Sequence, residues 1–155
     1  MVAAVQFAVR GVTRDDFDQW LPLWEGYNAF YGRSGQTALA RLITDTTWGR
    51  LFDDNEPVHA LVADSEGQLI GLVHYIFHRS TISVGPVCYL QDLFTAADLR
   101  GRGVGRSLIR AVCEQAKAAG ASRVYWHTHD TNATARALYD QVAEQTGFIM
   151  YRMTW

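Results

Sequence analysis

Tyr89-Leu-Gln-Asp-Leu-Phe-Thr-Ala-Ala-Asp-Leu-Arg-Gly-Arg-Gly-Val-Gly-Arg-Ser-Leu-Ile109 is the stretch that decides the fold. It begins as an apolar run with strand-forming content. Its centre holds Gly101, Gly103 and Gly105 at alternate positions, among Arg100, Arg102 and Arg106. Beyond the glycines, Val104, Leu108 and Val112 form one apolar row at helical spacing, with Ile109, Cys113 and Ala116 beside it and Gly120 as the stop. Strand, glycine turn and helix in this order aim bare backbone N–H groups at a phosphate. Arginines beside such groups suit a pyrophosphate.

The glycine spacing is not that of the dinucleotide fingerprint, whose third glycine falls one residue later. It is not a P-loop either, because no Gly-Lys-Ser/Thr is present. Taken alone, it is equally a flexible strand-to-helix turn among solvated arginines.

Working outward, Val5 to Arg10 reads as a strand stopped by Gly11. Thr13 reads as a helix N-cap with Asp15 and Asp16 in the first turn, Asp16 closing a shortened capping box. Phe17, Trp20, Leu21, Trp24, Tyr27, Phe30 and Tyr31 follow at helical spacing, and Pro22 is expected to kink or break that helix near Asp18 to Pro22. Thr37 to Arg50 is a second helix, with Leu39, Leu42, Ile43 and Trp48 as its apolar residues. His59 to Ala63 and Leu69 to Phe77 form a hairpin about Asp64-Ser-Glu-Gly67, and Val87 to Thr95 is the next strand. Arg123 to Thr128 is a short strand, Asn132 to Gln145 a helix closed by Gly147, and Phe148 to Met153 a last strand. The predicted class is α/β (α+β) with a mixed, twisted central sheet flanked by helices. Residues 1–155 show no internal repeat or linker and read as a single domain. Strands 87–95 and 123–128, joined by a helix, should be parallel neighbours with a right-handed crossover. Ligands in such sheets bind beyond the carboxyl ends of the strands, where the glycine loop sits.

Composition narrows the partners. The chain has 155 residues, 48% of them hydrophobic, and a net charge of −2, which gives it a core and no broad basic surface for nucleic acid. Cys88 and Cys113 have no metal-ligand spacing and read as buried free thiols in a reducing compartment. No metal set, signal peptide or membrane span is legible, so a cytoplasmic location is expected, without a membrane partner.

Arg100-x-x-Gly103-x-Gly105, after an apolar strand and opening a helix, resembles the acetyl-coenzyme-A signature of the GNAT N-acetyltransferase superfamily. Asn132, seven residues before Tyr139 in Asn-Ala-Thr-Ala-Arg-Ala-Leu-Tyr, is similar to the second GNAT signature. The order of elements matches the GNAT fold over nearly the full chain. Tyr89-Leu-Gln-Asp-Leu-Phe, Val124-Tyr-Trp-His-Thr, Leu138-Tyr139 and Tyr151-Arg152 most resemble its histone/polyamine-type branch.

The resemblance implies acetyl transfer from acetyl-coenzyme A, without a metal, to a small amine, a polyamine or a lysine side chain by direct attack. It implies that the backbone of Leu93, Phe94 and Thr95 pairs with pantetheine as an added strand, an amide at Leu93 or Phe94 polarising the thioester carbonyl. The N–H groups of Gly101, Arg102, Gly103, Val104, Gly105 and Arg106, with Arg100, hold the pyrophosphate, and Asn132 is a cofactor-binding amide or simply an N-cap. Tyr139, two helical turns from Asn132 on the same face, is the implied acid for the departing thiolate. The base is open. Gln91 stands where polyamine-type relatives carry glutamate, and it cannot take a proton. Asp92 is the first choice, with a water chain, His127, His129 or Asp130 as alternatives. Glu25, Tyr27 and Tyr31 in the first helical region and His127 are the expected acceptor-binding residues, since aromatics beside a carboxylate suit a cationic amine. Trp24 is read either there or as core. Two other readings stay open: a non-catalytic acyl-coenzyme-A-binding regulatory module, and a transferase directed at a protein partner. A homodimer is implied, with the tail strand pairing or swapping between copies.

Overall fold

The computed structural model describes residues 3–155. Five strands form one mixed sheet in the order β1-β2-β3-β4-β5: β1 Ala8–Gly11, β2 Val58–Ser65, β3 Gln68–His78, β4 Val87–Thr95 and β5 Val124–Tyr125. The first four pair antiparallel, and β5 runs parallel to β4. Four α-helices flank the sheet: α1 Phe17–Phe30, α2 Arg41–Arg50, α3 Val104–Ala118 and α4 Ala133–Val142. The β4–α3–β5 crossover gives the expected parallel neighbours.

Strand alternation sends successive side chains to opposite faces. Val73, Tyr75, Cys88 and Leu90 go to one face, where they pack with Leu108, Ile109, Val112 and Ala116 of α3. Val62, Leu69 and Leu72 go to the other, under Trp20, Leu23, Trp24 and Tyr27 of α1. Both cysteines are free; Cys88 is buried, and burial pushes its thiol up to about 11.

Several elements differ from expectation. α1 runs unbroken through Pro22. The ring removes only the bond to the Asp18 carbonyl, one turn from the helix start, and Asp18 is exposed, so water can take that carbonyl. α2 begins at Arg41, after a separate 3-10 turn at Gly35–Thr37, and Leu42 and Ile43 are exposed. α4 ends at Val142, well before Gly147. The Arg123–Thr128 strand is laddered only at Val124–Tyr125. The Phe148–Met153 strand does not form: Phe148, Ile149, Met150, Tyr151 and Met153 are all exposed. A run apolar on both faces needs cover on both, and β5, only two residues long, offers no extended edge to receive it.

One irregularity positions the site. β3 and β4 pair His74 with Asp92 and Tyr75 with Leu90, which leaves Gln91 as the extra residue of a β-bulge. The bulge resets the alternation. Leu90 faces α3, and Asp92, two residues on, faces α1 instead of sharing that side. Gln91 is exposed.

Candidate active site

β4 and β5 are laddered only at Cys88–Val124 and Tyr89–Tyr125. From there to Thr95, β4 keeps β3 on one side and presents its other backbone edge to a cleft of about 530 Å³. Leu93, Phe94 and Thr95 form one wall. The start of α3 forms the floor, with Arg100, Gly101, Gly103, Val104, Gly105 and Arg106. Asn132, Leu138 and Tyr139 of the α4 segment close the far side, and Tyr27, Phe30 and Tyr31 of α1 stand at the other end.

The floor is built by backbone. Gly103 is the N-cap of α3 at φ 84, and no side chain caps the helix. The first helical bond of the ladder is Ser107 N–H to the Gly103 carbonyl, so the N–H groups of Val104, Gly105 and Arg106 have no partner within the helix. They carry the positive end of the helix dipole to the cleft floor. The left-handed φ at Gly103 favours glycine because a Cβ there is strained even though the space around it is open. Arg100 donates from Nε to the Thr95 carbonyl at 3.2 Å, with its guanidinium over the Phe94 ring. Arg106 is held by Gln141 of α4. A diphosphate with an extended amide-bearing arm fits this donor set and this open strand edge. Arg102 is exposed and does not line the cleft.

On the α4 side, Asn132 is the N-cap: its Oδ1 accepts from Ala135 N–H at 3.4 Å, and its Nδ2 donates to Thr128 Oγ1 at 3.3 Å. Tyr139 packs edge-on against Trp126. Burial first, and then Tyr31, pushes its phenol up to about 12. A phenol held above its usual range stays protonated at neutral pH, as a proton donor must.

The acceptor end is less as expected. Tyr27 and Tyr31 line the cleft, but Glu25 does not. It is exposed on another face of α1 and borders a separate hollow with Arg33 and Arg41, because on a helix a residue two positions from Tyr27 points elsewhere. His127 lies beyond the lining and pairs through Nδ1 with the Tyr89 hydroxyl at 3.2 Å. His129 and Asp130 pair with each other at 2.9 Å, and both are exposed. Asp92 is inward but behind the wall: it is 7% exposed, and its Oδ2 lies 2.9 Å from His74 Nδ1. Trp24 is core, stacked on Trp20 and donating to Thr44. Sequence reasoning missed Phe30, Leu99, Thr134 and Ala135 in the lining, and it missed His74. Leu90 and Leu93 are three apart in the strand, and both pack on the α3 side because the bulge lies between them.

The sequence profile of the Acetyltransferase (GNAT) family matches residues 20–143 of the chain. The chain belongs to this family. Membership makes it an acetyl-coenzyme-A-dependent N-acetyltransferase, with GNAT relatives along most of its length. It is 33% identical to the D-amino-acid N-acetyltransferase HPA3 of Saccharomyces cerevisiae over 95% of this chain and 90% of that one. It is 30% identical to the thialysine N-epsilon-acetyltransferase of Mus musculus over 65% of this chain and 66% of that one. Among solved structures, the fold superposes with a TM-score of 0.79 on the aminoglycoside acetyltransferase AAC(6')-Iy in complex with a bisubstrate analogue, at 17% identity over 97% of this chain and 99% of that one. Within the GNAT cleft, no group of three or more His, Cys, Asp or Glu among the described residues is arranged to hold a metal.

Proposed function

We propose that this chain acts as one N-acetyltransferase domain that moves the acetyl group of acetyl-coenzyme A to a small, singly charged amine, amino acids included, by direct attack. The observation that carries this reading is a convergence in one cleft. The free edge of β4 at Leu93–Thr95, the bare N–H groups at the start of α3 and the protonated Tyr139 phenol all face it. In this reading the β4 edge takes the pantetheine arm and the α3 amides, with Arg100 and Arg106, take the pyrophosphate. A Leu93 or Phe94 amide stabilises the developing oxyanion. Tyr139 protonates the leaving thiolate, and Asn132 shapes the α4 end by capping.

Charge around the acceptor end favours a single ammonium. None of the lining residues is acidic, and Asp92 is the one carboxylate immediately behind them. A polyamine places several cations in a site and is best met by several carboxylates. The names of the similar proteins fit a site with little negative charge, since a D-amino acid carries one ammonium and thialysine two, each offset by a carboxylate of its own, so both bring less net positive charge than a polyamine.

The exposed Phe148, Ile149, Met150, Tyr151 and Met153 suit a homodimer in which the tail of one copy is covered by the other, since a contiguous apolar run of this size is seldom left in water. Among the described residues no helix is long and apolar enough to cross a membrane, and a cytoplasmic location fits the two free thiols.

The test is free-thiol release from acetyl-coenzyme A with a panel of D- and L-amino acids, thialysine, spermidine and a lysine peptide. Amine-dependent release with the amino acids or thialysine, and little with spermidine, is expected. Release only with the lysine peptide favours a protein target. Tight coenzyme A binding with no release on any amine reduces the chain to a binding module.

A further inference from the structure

Behind the acceptor end of the cleft lies a line of polar side chains drawn from three elements, buried between α1 and the sheet. Trp20 on α1 donates from its indole Nε1–H to His74 Nε2 at 3.1 Å. His74 on β3 meets Asp92 on β4 through Nδ1 at 2.9 Å. Tyr27 on α1 stacks on Trp24, which packs against His74, and this sets Tyr27 beside the Asp92 carboxylate. Trp20 is fully buried, and His74 is 2% exposed. Of the four, only Tyr27 lines the cleft.

Hydrogen-bond chemistry fixes the direction of this line. An indole nitrogen can only donate, so His74 Nε2 must accept and cannot carry a proton. The imidazole proton therefore sits on Nδ1 and is donated to Asp92. Asp92 Oδ2 accepts that bond at 2.9 Å, which fixes the carboxylate against β3. The Tyr27 phenol is raised from its ordinary value, by burial first and then by the Asp92 carboxylate, so it enters the reaction as a neutral O–H.

We propose that Tyr27 and Asp92, backed by His74 and Trp20, form a proton line that accepts the proton shed by the attacking amine, with Tyr27 the member that touches the amine. The inference rests on the acetyl-transfer reading above. The bound ammonium passes one N–H proton to the Tyr27 oxygen while the Tyr27 proton passes to Asp92, and the neutral nitrogen then bonds to the thioester carbonyl carbon. The C–S bond breaks, the thiolate takes the Tyr139 proton, and Tyr139 regains one from the acylated nitrogen. Asp92 returns its proton through Tyr27 to water, so ammonium and thioester become amide, thiol and one released proton. His74 and Trp20 are positioning residues: they touch no substrate and hold the Asp92 carboxylate in place beside Tyr27. The line also explains how the site dispenses with a carboxylate at Gln91. The titratable and charged groups around Asp92 are His74 on β3, Tyr27 on α1 and Tyr89 on β4, with the Arg33 guanidinium beyond the Tyr27 ring.

The experiment is the pH dependence of kcat/KM for the acceptor the panel identifies, in wild type, Tyr27→Phe, Asp92→Asn, His74→Leu and His74→Asn. A general base contributes about 100-fold or more. Tyr27→Phe and Asp92→Asn should each lose about that at pH 7, and the deficit should shrink to within about 10-fold near pH 10, where an amine of ordinary basicity arrives neutral. A merely structural defect would not follow the protonation of the amine. His74→Leu should move the acidic limb of the profile to higher pH. His74→Asn, whose amide can donate from nearly the place of Nδ1, should restore it. Independently of turnover, nitrogen-15 spectra of the five histidines, with His74 assigned by its loss in His74→Asn, should show His74 protonated on Nδ1 and bare on Nε2. Deficits that are constant across pH, wild-type rates in Tyr27→Phe, or a His74 protonated on Nε2 overturn the line while leaving acetyl transfer standing. A wild type that releases no thiol with any amine overturns the acetyl-transfer reading itself, and the line's role falls with it.

Discussion

The two ends of the cleft are built by different means. The end formed by Leu93–Thr95 and Gly101–Arg106 works through backbone: an unpaired strand edge, a glycine in left-handed conformation and the free amides of a helix start. One continuous stretch of chain supplies it. The end formed by Tyr27, His74 and Asp92 works through side chains from α1, β3 and β4: hydrogen bonds join Trp20, His74 and Asp92, and a one-residue bulge sets Asp92 in place. A backbone site loses only part of its affinity when a flanking side chain is changed and fails when its conformation is altered. A side-chain network fails atom by atom while the fold stays intact. The first suits a cosubstrate common to a whole family, the second an acceptor that differs from member to member.

Substitutions that separate the two ends test the comparison. The largest effect is expected from Tyr139→Phe, which should lower kcat about 100-fold and leave coenzyme A affinity within about 10-fold of wild type, since one neutral hydrogen bond contributes about 0.5–1.5 kcal/mol. Stopped-flow thiol release and calorimetry measure the two quantities, and an unchanged kcat would remove Tyr139 from the mechanism. Arg106→Ala should do the reverse. A charged donor to phosphate is worth about 1.5 kcal/mol, so coenzyme A affinity should fall about 10-fold and more weakly at high salt, with kcat at saturating cosubstrate nearly unchanged. If kcat falls and affinity holds, Arg106 belongs to the chemistry instead.

The smallest effect concerns the anchor of α1. The Arg10 guanidinium bridges Asp16 and Asp64 at 2.8 and 2.9 Å, and Asp16 also accepts from Thr13 N–H at 2.7 Å. The hydrogen bond from Arg10, its largest cause, holds the Asp16 carboxyl down at about 2 against an ordinary 3.8. The folded value lies below the unfolded one, so the unfolded chain binds more protons between them and acid favours it. This contribution is full above about pH 4 and is lost as pH falls toward about 2. Urea titrations across that window should show a midpoint falling with acid in wild type, and a shallower fall in Asp16→Asn.

The same contrast explains what was legible in the sequence. The hairpin of β2 and β3, the boundaries of β4, the apolar rows of α3 and the glycine loop are local patterns, and each formed close to where the spacing placed it. Asn132 and Tyr139 were legible through their resemblance to the second GNAT signature, and both line the cleft. The acceptor end was not. Glu25 reads as a partner for a cation in sequence, but the helix phase turns it away from Tyr27. His74 looks like one more residue of an apolar strand, and only the register across β3 and β4 brings it to Asp92. Pro22 and the Phe148–Met153 segment failed for a related reason. Whether one lost hydrogen bond breaks a helix, or an apolar run becomes a strand, depends on solvent exposure and on a neighbouring edge, and neither is written locally.

The central claim, that backbone holds the cosubstrate while a separate side-chain network serves the acceptor, is tested most directly by calorimetric titration of coenzyme A into Gly103→Glu and Asp92→Asn. Strain of about 1–2 kcal/mol at the left-handed position, plus a carboxylate beside the phosphates, should weaken binding to Gly103→Glu about 100-fold. Asp92→Asn should bind coenzyme A as wild type does while its turnover collapses. Wild-type affinity in Gly103→Glu, or a loss of affinity in Asp92→Asn equal to its loss of turnover, would contradict the account.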